Sequence, residues 1–235
     1  MKNILSLVLV LIPIQFLTAQ SLQGAWQLSN ANEEDLKIKH IMIIAGDFFS
    51  EAFFEEASGK FLGTMGGGLK TENDTFERIY EFTSSNPALV GTSQKTKYTF
   101  EAGQLHLGNS IWEQVDDGSP GDLAGAWLIS GRKREGAIER RDTSGPRKTM
   151  KILSGTRFQW IAFNTETKEF MGTGGGTYTT RDGKYTENIG FFSRDDSRVG
   201  ASLQFNYEVI DGDWHHYGLS SKGQPIYEVW SKRTE

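Results

Sequence analysis

The segment Leu22-Gln-Gly-Ala-Trp-Gln-Leu-Ser29 returns as Leu123-Ala-Gly-Ala-Trp-Leu-Ile-Ser130, so that Gly24 and Trp26 correspond to Gly125 and Trp127. Three further markers recur in the same order. The glycine run "FLGTMGGGLKT" from Phe61 matches "FMGTGGGTYTT" from Phe170, Val90-Gly91 matches Val199-Gly200, and Ile111-Trp-Glu113 matches Ile226-Tyr-Glu228. The offset grows from 101 to 109 and then to 115 residues, which places one insertion after Ser130 and another between Gly218 and Gly223. Ordered recurrence of this kind marks two homologous units of about 100 residues each.

Period two runs through the second unit. Tyr185, Glu187, Ile189 and Phe191 alternate with Thr186, Asn188 and Gly190; Leu203, Phe205, Tyr207 and Val209 alternate with Gln204, Asn206 and Glu208. This is the strand signature, and Asp182-Gly183 and Asp211-Gly212 supply hairpin turns between such strands. No mature segment has an apolar face at helical period. The fold class expected from these patterns is therefore all-β, two tandem antiparallel meanders, each of which must close or pair to protect its edges. A phosphate-binding glycine loop needs a helix to follow it. Strands follow here, so the glycine runs read as bulges, sharp bends or points of close approach.

Met1 to Gln20 has a single Lys2, an apolar stretch from Ile4 to Leu17 and a small Ala19, the pattern of a secretory signal peptide. The apolar run is shorter than the ~20 residues that span a bilayer. The domains expected are 1–20 (signal), 21–118 and 123–235, with "DDGSPGD" from Asp116 to Asp122 as linker. The mature chain is expected to be secreted or periplasmic, with no stable membrane insertion after signal cleavage. With no cysteine in the sequence, thiolate catalysis, cysteine-bound metal and a lipid-modified cysteine are excluded, and stability must come from packed cores.

Gly-x-Trp near the start of each unit (Gly24-Ala25-Trp26 and Gly125-Ala126-Trp127), an antiparallel meander and an arginine on the last strand, Arg233, resemble the lipocalin and fatty-acid-binding (calycin) superfamily. The first unit has Gln114 and Val115 where that arginine falls, and the Thr-Asp-Tyr motif of many lipocalins is in neither unit. The resemblance implies barrels whose tryptophan closes the floor beneath the late arginine. It also implies that a mouth takes a small, usually apolar molecule, with a minority of members acting as enzymes.

Ser21 to Asp122 carries 7 Lys/Arg against 16 Asp/Glu, and Leu123 onward carries 17 against 14. Most of the basic excess lies in the insertion Gly131 to Lys148, which has three open roles: packing on the acidic first unit, covering a barrel mouth, or standing in solvent. The overall charge of −5 argues against nucleic acid as a partner. Catalytic and metal motifs are absent, and no cofactor is expected. His215 and His216 are adjacent on a strand and so point to opposite faces.

One charge per unit stands in an apolar register: Glu187, and Arg78 at its counterpart position. Such a charge needs a partner or a ligand; Arg157 is one candidate partner for Glu187. The second unit also offers Trp160, Tyr178, Phe191 and Trp214 as a binding wall. The favoured expectation is a small-molecule-binding protein, its pocket in the second barrel lined by Trp160, Tyr178, Glu187, Phe191 and Trp214, for an amphipathic or carbohydrate-like ligand. The alternatives are an acid–base enzyme (lyase, isomerase or hydrolase) acting on a sugar derivative through Glu187, Tyr178 and His215 or His216, and an interaction module of a surface complex with filled barrels.

Overall fold

The computed structural model describes residues 21–29, 32–33, 36–119, 121–220 and 223–234. The expected signal peptide lies outside the described residues. Among these residues there is no α-helix: eighteen strands and two short 3-10 turns, η1 (Pro87–Leu89) and η2 (Asp196–Arg198), make up the fold.

The strands form two closed eight-stranded antiparallel barrels in tandem. The first runs through β1 (Gly24–Leu28), β3 (Leu36–Ala45), β4 (Phe48–Glu55), β5 (Phe61–Glu72), β6 (Thr75–Thr83), β7 (Ser93–Glu101), β8 (Gln104–Leu107) and β9 (Ser110–Asp116), and β1 pairs with both β3 and β9 to close it. A two-residue strand β2 (Asn32–Glu33) pairs with β3. In the second barrel β10 (Gly125–Arg134), β12 (Arg147–Leu153), β13 (Arg157–Asn164), β14 (Glu169–Arg181), β15 (Lys184–Phe192), β16 (Ser202–Ile210), β17 (Asp213–Leu219) and β18 (Pro225–Lys232) follow one another, and β10–β18 pairing closes the ring. Closure protects the edges that each meander would otherwise expose. The Asp-Gly turns sit where period two ends: Asp182 and Gly183 have φ of +51° and +70°, the primed-turn conformation that matches strand twist.

The repeated glycines occupy β5 and β14 and answer to a bulge on the next strand. Gly66 faces Phe82 while Gly67 faces Tyr80, leaving Glu81 unpaired; Gly175 faces Phe191 while Gly176 faces Ile189, leaving Gly190 unpaired. A Cβ on Gly67 would lie 2.2 Å from the Ile79 carbonyl oxygen, and one on Gly176 would lie 2.0 Å from that of Asn188. Only glycine fits under the bulge.

The basic insertion forms a hairpin: β10 runs on to Arg134, turns at Glu135-Gly136 and pairs with β11 (Ala137–Arg140). It extends the second barrel's own sheet, and Arg140 donates to Asp213 Oδ2 at 2.6 Å. Register also corrects the last repeat. Trp112 faces Leu28 and Trp230 faces Ile129, so the structural counterpart of Trp112 is Trp230, an offset of 118. The Ile-x-Glu match at 115 is out by an odd number and sets an inward residue against an outward one.

The outer faces of β3, β4 and β6 pack on those of β10, β12 and β13, with Ile43, Phe48 and Phe82 meeting Leu128, Met150, Ile152 and Phe163. The contact is internally symmetric. Phe82 packs at a tilt against Phe163 and Phe54 stacks against Phe191, both with centroids 4.9 Å apart, and each pair becomes the other under the 109-residue offset; Phe61 stacks on its own counterpart Phe170 at 6.2 Å. Two polar clasps flank this core. The Asp116 carboxylate accepts from Ser154 Oγ, Gly155 N, Thr156 N and Thr156 Oγ1 at 2.6–3.0 Å, and Arg233 forms a bidentate pair with Glu81 at 2.8 and 2.6 Å.

Candidate functional site

Trp127 donates its indole N–H to the Leu123 carbonyl at 2.9 Å, as Trp26 does to Leu22 at 2.8 Å; these tryptophans seal one end of each barrel. The cation over the Trp127 ring is Lys232, 5.4 Å from its centroid. Arg233, expected over that tryptophan from the resemblance, turns to the first barrel and lies 4.2 Å from the Phe48 ring centroid. Adjacent strand residues face opposite ways, so inward Lys232 sends Arg233 outward.

At the other end of the second barrel, beside η2, opens a cavity of about 460 Å3 lined by Lys151, Phe158, Trp160, Glu187, Ile189, Phe192, Arg198 and Leu203, among others. Its inner wall is ionic. Lys151 Nζ lies 2.7 Å from Glu187 Oε1, which also accepts from the Tyr185 hydroxyl at 2.9 Å. The ammonium is further surrounded by the rings of Tyr185, Trp214 and Trp230 at 4.9–5.2 Å. Burying either charge alone would be prohibitive, and the pair with its aromatic surround makes it tolerable. Nearer the mouth, Trp160 and Phe192 lie parallel, 5° apart at 6.3 Å, with Arg194 over the first ring and Arg198 over the second.

Glu187 and Trp160 line this cavity, and the other expected residues do not. Phe191 faces away from it and packs with Phe54 and Ala52 of the first barrel. The extra residue Gly190 reverses the alternation, and Phe192 takes the inward place instead. Tyr178 is buried toward the sealed end, where its hydroxyl donates to the Ser154 carbonyl at 2.5 Å and burial pushes its pKa up. Trp214 stands behind Lys151 in the core.

His215 and His216 part as their adjacency requires. His215 meets the Tyr227 hydroxyl at 2.9 Å on the outer face, while His216 faces inward, with Phe205 at 4.2 Å and Glu228 Oε2 at 3.5 Å. Burial and the Lys151 charge lower the His216 pKa, against the opposing pull of Glu228. The four residues considered for acid–base work do not converge on one point. Arg157, weighed as the partner of Glu187, lies outside the barrel lumen in the groove between the barrels; Lys151 takes that role. The cue to Lys151 was its place in the otherwise apolar run Met150-Lys-Ile-Leu153, whose two faces are both buried.

The first barrel reverses these features. At the counterpart of Glu187 stands Arg78, bound to Glu51 at 2.9 and 2.8 Å, and His40 Nε2 meets the same carboxylate at 3.0 Å. Burial pushes the Glu51 carboxyl up, but the Arg78 guanidinium and the His40 ring outweigh it and hold the pKa at about 2. Glu51 occupies the position of Trp160, and Met42 that of Lys151. On the mouth turn, Leu89 of η1 packs onto the core where η2 carries Arg198 at the cavity.

Fold and site together define a tandem β-barrel protein whose first barrel holds the Arg78–Glu51–His40 cluster and whose second is hollow. The hollow half coincides with the family match: residues 122–235 match the model of a family described as a domain of unknown function, DUF4488. No curated protein matches the chain.

Proposed function

We propose that this chain is a secreted or periplasmic small-molecule-binding protein with lipocalin-like barrels, its ligand held in the second barrel. The supporting observation is the difference between the two mouths. The same 3-10 turn carries Leu89 down onto the core of one barrel and Arg198 to the rim of an open cavity in the other. A cavity of about 460 Å3 falls within the ~300–1,000 Å3 typical of small-ligand sites. Parallel Trp160 and Phe192 near the mouth offer flat apolar contact, and Lys151 and Glu187 offer both a donor and an acceptor at the inner wall. These suit an amphipathic or carbohydrate-like ligand, its ring or apolar face on the aromatics and its polar groups inward. The acid–base reading has less support, because Tyr178 is committed to Ser154 and His215 lies on the outer face.

The test is fluorescence titration with the uncharged amphipathic dye 6-propionyl-2-(dimethylamino)naphthalene. Wild-type protein should bind it saturably with one strong site. Ala201→Trp, which fills the cavity mouth, should abolish that site while keeping the melting temperature. Equal binding by both proteins would remove the cavity from consideration.

A further inference from the structure

A second concavity, of about 380 Å3, lies between the barrels and is separate from the lumen just described. Its floor is apolar: Ile41 and Phe54 from the first barrel meet Phe191 from the second, with Val199 at one side. Its charged groups are few. Lys39 is joined to Glu56 at 3.2 Å, which neutralises that end. Arg157 is the exception: half-buried, it has no hydrogen-bond or ion-pair partner for its guanidinium among the described residues. Asp116, the carboxylate whose charge reaches it from further off, is already taken by donors from Ser154, Gly155 and Thr156. Arg78, Arg132, Arg134, Arg140 and Arg233, by contrast, each hold a carboxylate. The groove's amides are partly committed as well, since Gln159 donates to Thr64 and Thr173 and Asn188 donates to Thr177.

A partly desolvated cation beside an apolar floor is satisfied by one anionic group that carries an apolar body. We infer that the inter-barrel groove is a second small-molecule site. It takes an amphipathic monoanion, such as an aryl-alkyl carboxylate, whose anionic group meets Arg157 and whose apolar part lies along Ile41, Phe54 and Phe191. A neutral polyol finds too few free polar partners here, and a dianion would leave one charge without a cation. The inference is independent of the ligand assigned to the barrel lumen.

The probe is 4-phenylbutanoate, with its neutral isostere 4-phenylbutanamide as control, titrated into the full chain by calorimetry and followed by methyl NMR. The acid should bind at least tenfold more tightly than the amide, and Arg157→Gln should remove that preference without changing the fold. Ile41 and Val199 methyl resonances should move, and those of Leu203 in the lumen should not. Ala57→Trp at the exposed rim of the groove should block binding, whereas Ala201→Trp should leave it intact; these two variants decide the matter even if Arg157→Gln fails to fold. No binding by the wild type, equal binding of acid and amide, a preference that survives in Arg157→Gln, or shifts confined to Leu203 would each overturn the inference.

Discussion

Glu187 and Lys151 meet at 2.7 Å inside the second barrel, an ion pair that forms one wall of the candidate cavity and is also part of its support. Removing one partner strands the other where no more than 10% of either side chain is exposed. Glu187→Gln should therefore cost about 3–5 kcal/mol in denaturant unfolding. Adding Lys151→Met, the residue that the first barrel has at the equivalent position, should recover most of the loss. A single variant as stable as wild type would mean that water reaches the ammonium.

The mouth can be tested by exchanging the residues that distinguish the two turns. Arg198→Leu introduces the side chain by which Leu89 packs onto the core of the first barrel. The expected result is weaker dye binding, by tenfold or more, with an unchanged or slightly raised melting temperature. Unaltered binding would show that the introduced leucine does not swing inward.

Glu51 sets an acid limit on the first barrel. Its folded pKa of about 2 lies below the ordinary value of 4.5, so the carboxylate contributes stability that is complete above about pH 4.5 and lost as pH falls toward 2. The shift corresponds to about 3 kcal/mol. Unfolding free energies measured between pH 5 and 2 should fall by that order in the wild type and less steeply in Glu51→Gln, which will be the less stable protein at neutral pH. Parallel slopes would assign the acid sensitivity to other carboxylates.

Gly67→Ala and Gly176→Ala should each destabilise by more than about 2 kcal/mol, because backbone rather than a movable side chain occupies the space a Cβ needs. Gly145→Ala, where nothing lies within 4 Å, is the control. Thermal unfolding of the three variants gives the comparison directly.

Period two in Tyr185, Glu187 and Ile189 was enough to read strands and to set Glu187 on their apolar face, while the resemblance supplied the barrel and the alternation alone left open which face turns inward. Phe191 was not readable in the same way. Its direction depends on the unpaired Gly190, and nothing in an alternating string marks which glycine is the extra residue. Trp160 could be placed because its strand keeps register across the cavity. Lys151 could not be matched to Glu187, because the two meet across the lumen from strands that are not neighbours in the sheet. The interface was hidden for a related reason: Ile161 and Phe163 look like half of an ordinary alternation, and only the second barrel's packing against the first shows that both faces of β13 are buried.

The exchanged pairs Phe82–Phe163 and Phe54–Phe191, with Phe61 and Phe170 on the axis between them, are the geometry of a two-fold homodimer written into one polypeptide. A self-complementary surface of that kind closes on itself at two units, so each barrel already has the other as its mate and that face is withdrawn from further assembly. Covalent linkage also ends the rule that both partners be identical. Glu51 and Leu89 on one side, and Trp160 and Arg198 on the other, are what two halves can become once a single gene encodes each of them separately.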